Sequence, residues 1–250
     1  MTRVSRGVRI IGGDLHTAVQ TWTRADTHPI ILIGLCHVGE TDYYAAVERI
    51  LDTHLDAEVL CEGAVREQPP PALTPRERDR LAHLDGWGLR RPLEWAAAAT
   101  GLQLQSRGLT RREHWRTADV MAVDLLRVSG HLRRVDLPDA DDMSWPDGLQ
   151  ARLAARVLRR LLIHGCRWSH LTASRSTRLG IVDWRNINAI TQALRIVHDS
   201  PVLLPWGAGH LSGMGRLLAL NDFTLAHTQW LRAISKRQLT EPDHPTEDKP

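Results

Sequence analysis

Two apolar runs in the chain each lead to a glycine with a histidine three residues beyond it. Residues 30–33 precede Gly34 and His37, and residues 202–206 precede Gly207 and His210. Each run predicts a buried strand that breaks at the glycine and presents its histidine on the following turn. Ligands of open α/β sheets bind outside the carboxyl ends of strands, so both histidines can face one cleft.

A carboxylate occupies a similar position between the two histidines. Glu62 directly follows the apolar run 57–61. Together with His37 and His210 it would form the ligand set of a catalytic divalent metal such as Zn, Mn or Co. The same groups could act without a metal, with one histidine as general base and Glu62 orienting it. In the structural alternative, both histidines only cap strand ends. The repeated context favours a functional site.

Glycines and one arginine extend this candidate site. Gly34, Gly207 and Gly209 would let a cofactor or substrate approach the backbone closely. The helix that follows His210 would point its first amides at anionic oxygen. Arg185 opens the preceding helix, where it could clamp a carboxylate or stabilise an oxyanion; the alternative is an ordinary salt bridge.

Other polar residues near the first motif are expected to be structural. Glu40 is interpreted as a solvated glutamate in the first turn of a helix, and at least one of Tyr43 and Tyr44 should pack in the core. By strand alternation, Cys36 and Cys61 should point away from their neighbours and into the core. A nucleophilic cysteine is therefore not favoured.

The elements that position these residues follow a β-α-β pattern near both ends of the chain. A strand over 30–34, a helix over 41–55 and a strand over 57–61 form one unit, whose strands should be parallel neighbours. We predict an α/β fold with a mostly parallel central sheet, built from two such halves with a helical insertion between them. The other predicted strands are 8–12, 19–23, 202–206 and 223–227, and the other predicted helices are 93–100, 120–128, 149–163, 185–197 and 212–220.

The chain is expected to form a single domain over residues 1–239. The insertion covers about residues 74–180 and begins at a capping box, in which Thr74 and Glu77 flank a proline at the first helical position. An exposed loop over 136–147 and a disordered tail over 240–250 complete the prediction.

Composition and charge narrow the possible partners. With 42% hydrophobic and 24% charged residues, the chain of 250 residues has the balance of a globular protein. Its formal net charge of +3 is too small to argue for nucleic acid. Four arginines share one helical stretch, and we interpret them as a solvated helix face rather than a phosphate-binding one. They are Arg152, Arg156, Arg159 and Arg160.

The cysteines and the first residues indicate a cytoplasmic protein. Three cysteines without a C-x-x-C motif do not make a disulfide framework, which fits a reducing compartment. No apolar segment of signal-peptide type follows residues 1–6, and no run is long enough for a membrane span. We expect no membrane partner; a homo-oligomer is compatible with the sequence.

Taken together, the motifs resemble the TraB/GumN group, whose wider relatives include the Tiki proteases, the erythromycin esterase-like proteins and the ChaN-like proteins. The matching segments occur in the order that the family has them and cover roughly residues 28–233. They are 33–40, 43–44, 59–63, 101–105, 114–120, 185–186, 207–213 and 229–231.

The resemblance implies an α/β fold with both glycine–histidine motifs and the Glu-Gly motif at one site, and it makes His37, Glu62, Arg185 and His210 the functional positions. Tiki relatives imply metal-dependent peptide hydrolysis, esterase relatives imply histidine-based ester hydrolysis without metal, and ChaN-like relatives imply haem or iron handling. Fold analogy does not choose among them. The leading expectation is a metal-dependent hydrolase of a peptide or amide bond. The alternatives are a metal-independent esterase-like hydrolase and a non-catalytic peptide- or haem-binding module.

Overall fold

The computed structural model describes residues 7–63, 73–82, 90–129, 148–172 and 182–237. The strands are β1 Val8–Ile11, β2 Asp14–Thr23, β3 Ile30–Leu35, β4 Val38–Gly39, β5 Glu58–Cys61, β6 Gln103–Leu104, β7 Arg116–Thr117, β8 Val202–Gly207 and β9 Thr224–Ile234. The helices are α1 Thr41–Asp52, α2 Pro75–Ala82, α3 Arg90–Thr100, α4 Gln105–Gly108, α5 Ala122–Ser129, α6 Gly148–Thr172, α7 Trp184–Ile196 and α8 Leu211–Leu220.

The main sheet has a parallel centre and an antiparallel side. Its order is β2-β3-β8-β5-β7, and both β1 and β9 also pair with β2. The four strands β3, β8, β5 and β7 run parallel to one another. The pairings of β2 with β1, β3 and β9 are antiparallel. The predicted α/β class with a mostly parallel central sheet is therefore confirmed.

The strands of the first β-α-β unit are parallel but are not neighbours, contrary to the prediction. The strand β8 lies between β3 and β5, and Val202 is in register with Ile30 on one side and Glu58 on the other. All six residues of β8 are buried. An apolar strand that is covered on both faces belongs at the centre of a sheet, so β8 inserts between strands that are consecutive in the chain.

Each face of the sheet is covered by its own set of helices, because successive side chains of a strand point to opposite faces. Ile31 and Ile33 pack with α1, α3 and α6 in one core cluster. Ile30 and Leu32 pack with α7 and α8 in the other. The central parallel strands β3 and β8 are consequently buried on both sides, and their ends are where a ligand can approach them.

The middle of the chain contributes strands as well as helices. Within the described residues of 74–180, β7 pairs with β5 in the main sheet, while β6 pairs with β4. The segment therefore completes the sheet, and the arrangement of two halves around a helical insertion is not confirmed. The capping box at its start is confirmed, since the Thr74 N–H donates to Glu77 Oε2 at 2.8 Å and the Glu77 N–H donates to Thr74 Oγ1 at 3.2 Å.

A buried ion pair ties this segment to the sheet and corrects two predictions. Arg159 donates from Nη1 to Glu40 Oε1 at 2.7 Å, and their side chains are 2% and 8% exposed. Glu40 was expected to be a solvated glutamate, and Arg159 was expected on a solvated face. Each carries a charge that is stable in the interior only because the other neutralises it.

Several element boundaries also differ from the sequence prediction. The helix α6 does not end near Gly165 but continues to Thr172, because that glycine is tolerated inside the helix. The last strand continues past 227 to Ile234 along its antiparallel partner β2. The N-cap of α1 is Glu40, which forms no side-chain cap bond. The predicted loop 136–147 and tail 240–250 lie outside the described residues.

Within the described part of the chain, every helix is too short or too polar to cross a bilayer.

Candidate functional site

The candidate site lies at the carboxyl ends of the four parallel strands. His37 follows β3, His210 follows β8, Glu62 follows β5 and Asp119 follows β7. Parallel strands end at one edge of their sheet, so these four residues reach the same side of the molecule. This is the edge at which α/β sheets bind their ligands.

Arg185, in the first turn of α7, is the centre of the site. Its Nε and Nη2 donate to the two carboxylate oxygens of Asp119 at 2.8 and 2.6 Å. The same Nη2 donates to Glu62 Oε1 at 2.8 Å. The exposed fractions of the side chains are 6% for Arg185, 0% for Asp119 and 18% for Glu62. Arg185 therefore clamps two carboxylates of the protein itself, and only Glu62 among the three retains an accessible part.

The carboxylate of Glu62 is held ionised by its surroundings. Burial alone would raise the pKa of Glu62, but His210, Arg185, the Gly207 N–H and His37 outweigh it and lower that pKa to about 2. The Gly207 N–H donates to Glu62 Oε2 at 2.6 Å. Glu62 is thus an acceptor at neutral pH and does not supply a proton.

His210 is oriented by a hydrogen bond to its Nδ1. This nitrogen lies 2.7 Å from Asn186 Oδ1, which accepts only, so Nδ1 carries a proton. The other ring nitrogen, Nε2, lies 3.3 Å from Arg185 Nη1 and 3.7 Å from Glu62 Oε1. The imidazole meets the Trp206 ring edge-on, with 5.2 Å between the ring centroids. His210 is consequently a buried member of the network.

His37, the histidine of the first motif, is exposed. Hydrogen bonds fix the backbone of residues 34–37 that carries it. The Tyr43 hydroxyl donates to the Gly34 carbonyl at 2.8 Å, and the Tyr44 hydroxyl donates to the Cys36 carbonyl at 2.9 Å. The His37 carbonyl accepts from the backbone N–H of residue 105 at 2.8 Å. Burial raises the pKa of Tyr44 far above its ordinary range, so its hydroxyl remains a donor.

Both tyrosines and both cysteines that flank the site are buried, as their patterns predicted. The four residues are Tyr43, Tyr44, Cys36 and Cys61. Burial also raises the pKa of the Cys61 thiol, which argues against its use as a nucleophile.

The predicted ligand-binding glycines have different surroundings. A Cβ on Gly207 would lie 3.0 Å from Glu62 Oε2, so its absence allows the short bond to that carboxylate. A Cβ on Gly34 would lie 3.0 Å from the Ala18 carbonyl oxygen and 3.1 Å from the Leu211 side chain. Gly34 is therefore required by packing within the fold, and its role toward a ligand stays a prediction. Gly209 is half-buried.

The side chains do not fit the metal site that the sequence predicted. Among the described residues, no three His, Cys, Asp or Glu side chains lie close enough together to hold a metal ion. The predicted ligands His37, Glu62 and His210 are all described and are not grouped in this way. His210 Nε2 lies 3.3 Å from Arg185 Nη1, so a cation bound there would have to displace the guanidinium. In this structure the guanidinium of Arg185 supplies the positive charge beside Glu62 and Asp119.

Two site residues were missed as candidates by the sequence analysis. Asp119 follows a strand of only two residues, β7, which has no apolar run to mark it. Asn186 stands beside Arg185 and was noted only within the Arg-Asn pair. The position in the chain was the available signal. Asp119 follows β7 as Glu62 follows β5, so both residues lie at the same edge of the sheet.

The chain was compared with protein-family models, with curated proteins and with solved structures, and it matches none of them. The resemblance to the TraB/GumN group stays a prediction that rests on the ordered motifs alone.

Proposed function

We propose that the protein is a hydrolase of an ester or amide bond that acts without a resident metal, with His37 as general base and Glu62 as its carboxylate partner. The observation that carries this proposal is the anchored Glu62 carboxylate at the edge of the sheet, 18% exposed. His37 is near enough for its charge to lower the pKa of Glu62. An accessible imidazole at the same sheet edge as a fixed carboxylate supplies the two groups that general base catalysis uses.

The charge balance of the network supports this assignment. Two carboxylates, Glu62 and Asp119, share one guanidinium, that of Arg185, and the low pKa of Glu62 keeps its carboxylate ionised. The ionised Glu62 stabilises an imidazolium close to it. Arg185 has committed its Nε and Nη2 donors to protein carboxylates, so we assign it as a positioning residue instead of the oxyanion stabiliser expected from the sequence.

The reaction follows from these roles. His37 removes a proton from a water molecule while the water oxygen attacks the carbonyl carbon of the substrate. The resulting imidazolium is stabilised by Glu62 and then transfers the proton to the leaving oxygen or nitrogen as the C–O or C–N bond breaks. The products are a carboxylic acid and an alcohol or amine, and His37 is neutral again. His210 and Arg185 hold Glu62 throughout.

A panel of activated esters and peptide amides tests the proposal in the purified full chain. We expect hydrolysis that survives treatment with a chelator and falls by about 100-fold or more in His37→Ala. Glu62→Gln should reduce kcat more than it changes KM, because the amide keeps the shape but not the charge. His227→Ala is the matched control: it removes an exposed histidine of β9, near the opposite end of the sheet.

Two outcomes would contradict the proposal. Hydrolysis lost on chelation and restored by Mn, Co or Zn would favour the metal-dependent reaction that the sequence first indicated. Hydrolysis unchanged in both His37→Ala and Glu62→Gln would remove the site from catalysis altogether.

A further inference from the structure

A second cleft, lined by cations, lies between α6 and the end of β9. The described residues that line it are Arg156, Arg160, Lys236 and Arg237, and its volume is about 450 Å³. All four side chains belong to exposed residues. Arg156 and Arg160 are four residues apart on α6, so they share one face of that helix. The cleft has the size of a small-molecule site, for which roughly 300–1,000 Å³ is typical.

The buried Arg159 holds the two sides of this cleft together. It lies on α6 between the two cleft arginines, and it donates from Nη1 to the carbonyls of Ser235 and Arg237 at 3.3 and 3.4 Å. Its charge is neutralised by Glu40. The segment that carries two of the cations is therefore fastened to the helix that carries the other two. The four charges are brought together by a specific contact and are not merely scattered over a surface.

None of these four charges has a carboxylate partner among the described residues. The ion pairs formed in this part of the chain involve Glu40, Glu62 and other carboxylates, but none joins the four cleft residues to a carboxylate. The Lys236 ammonium donates to the Gly12 carbonyl, which fixes its position and leaves two further donors. Four like charges facing one cleft repel each other, and a multivalent anion relieves that repulsion.

We propose that this cleft binds a ligand with a diphosphate or triphosphate group. Arginine forks match phosphate oxygens in pairs, and lysine adds a compact positive charge. The site is separate from the Glu62 network and does not depend on the hydrolase proposal. It also revises the interpretation of the arginine-rich helix, since one of its arginines is buried while Arg156 and Arg160 face a cleft.

Isothermal titration calorimetry of the full chain with inorganic triphosphate tests the proposal. We expect saturable binding that weakens at least about tenfold in the Arg156→Ala/Arg160→Ala double variant. Lys236→Met serves as a second variant from the other side of the cleft and should weaken binding as well. Arg152→Ala is the matched control, because Arg152 is exposed on the same helix but does not line the cleft. Thermal melts show whether each variant is folded.

A titration with adenosine triphosphate distinguishes the source of the group. Tighter binding than that of inorganic triphosphate would identify a nucleotide ligand, and equal binding would identify the phosphate chain itself. The proposal is overturned if the wild-type chain does not bind triphosphate at millimolar concentration. It is also overturned if Arg152→Ala weakens binding as much as the double variant does, since the effect would then be general attraction by the surface charge.

Discussion

Asn186 fills the space that a side chain at Gly213 would need, because its Nδ2 lies where a Cβ on that glycine would clash with it. The same amide accepts from His210 through Oδ1. A helix glycine and the orientation of a site histidine are thus coupled through one side chain.

We expect Gly213→Ala to displace Asn186 and to release the Nδ1 of His210 from its hydrogen bond. Overpacking of this kind lowers the free energy of unfolding by about 1–3 kcal/mol. Urea denaturation measures the loss, and ¹⁵N chemical shifts of the histidine ring report whether Nδ1 keeps this bond. Gly165→Ala is the control, since a Cβ there meets nothing within 4 Å in the described structure, and it should leave stability equal or up to about 1 kcal/mol higher. Equal effects of the two changes would argue against the coupling.

Asp119→Asn tests how much the fold depends on the Arg185 clamp. Asp119 also accepts from the Gly63 and Val120 N–H groups at 2.9 and 2.8 Å. Loss of its charge breaks the buried pair with Arg185 and leaves Glu62 as the remaining carboxylate on that guanidinium, and breaking such a pair costs about 3–5 kcal/mol. Chemical denaturation at neutral pH measures this.

A control for that experiment is Asp124→Asn, which changes an exposed carboxylate 3.9 Å from Arg127. An exposed pair contributes about 0–1 kcal/mol. A small effect of Asp119→Asn, within that same range, would show that the clamp is not needed for folding.

The depressed pKa of Glu62 makes stability depend on pH in the acid range. Its pKa is about 2 in the folded chain, against an ordinary value of 4.5. The folded state therefore binds fewer protons than the unfolded state between these values, and stability falls as the pH falls. The contribution, on the order of 3 kcal/mol, is present in full above pH 4.5 and is lost as the pH drops through about 2.

Urea denaturation between about pH 2 and pH 6 measures this slope, and Glu62→Gln should reduce it because the amide does not titrate. The same slope in the variant and in the wild-type chain would assign the acid sensitivity to other carboxylates.

Removal of the Tyr44 hydroxyl tests whether its hydrogen bond to the Cys36 carbonyl positions His37. Tyr44→Phe deletes the donor to the buried Cys36 carbonyl, which should cost about 1 kcal/mol. If the hydrolase proposal holds, kcat falls while KM changes little, because His37 is present but less well placed. Thr53→Val removes an exposed hydroxyl that donates to Ile50 at the end of the same helix, and it should change neither quantity appreciably. A fully active Tyr44→Phe would show that this bond does not position His37.

Local patterns predicted most of the elements, because they depend on residues close together in sequence. The apolar runs gave β3, β5 and β8, and the Thr74–Glu77 capping box gave the start of α2. The position of β8 between β3 and β5 was not accessible in this way. Strand order is set by which apolar strand is best covered on both faces, and that depends on the assembled core.

The site was predicted in part, for a related physical reason. Glu62 and His210 follow apolar strands and were found, and they lie 3.7 Å apart. The burial of Glu40 could not be predicted, since a lone glutamate at a helix start is usually solvated and its partner is 119 residues away. The metal site was predicted from ligand types alone, and the spacing of residues in sequence does not reveal that Arg185 stands among them.

The insertion of β8 between two much earlier strands has a consequence for synthesis of the chain. When β3 and β5 have left the ribosome, the strand that will join them, Val202–Gly207, has not yet been made. Both nascent segments then carry unpaired edges and apolar surface, the features that promote aggregation. We therefore expect the newly made segment that carries β3 and β5 to need chaperone protection, and the parallel sheet to assemble only after β8 has been made.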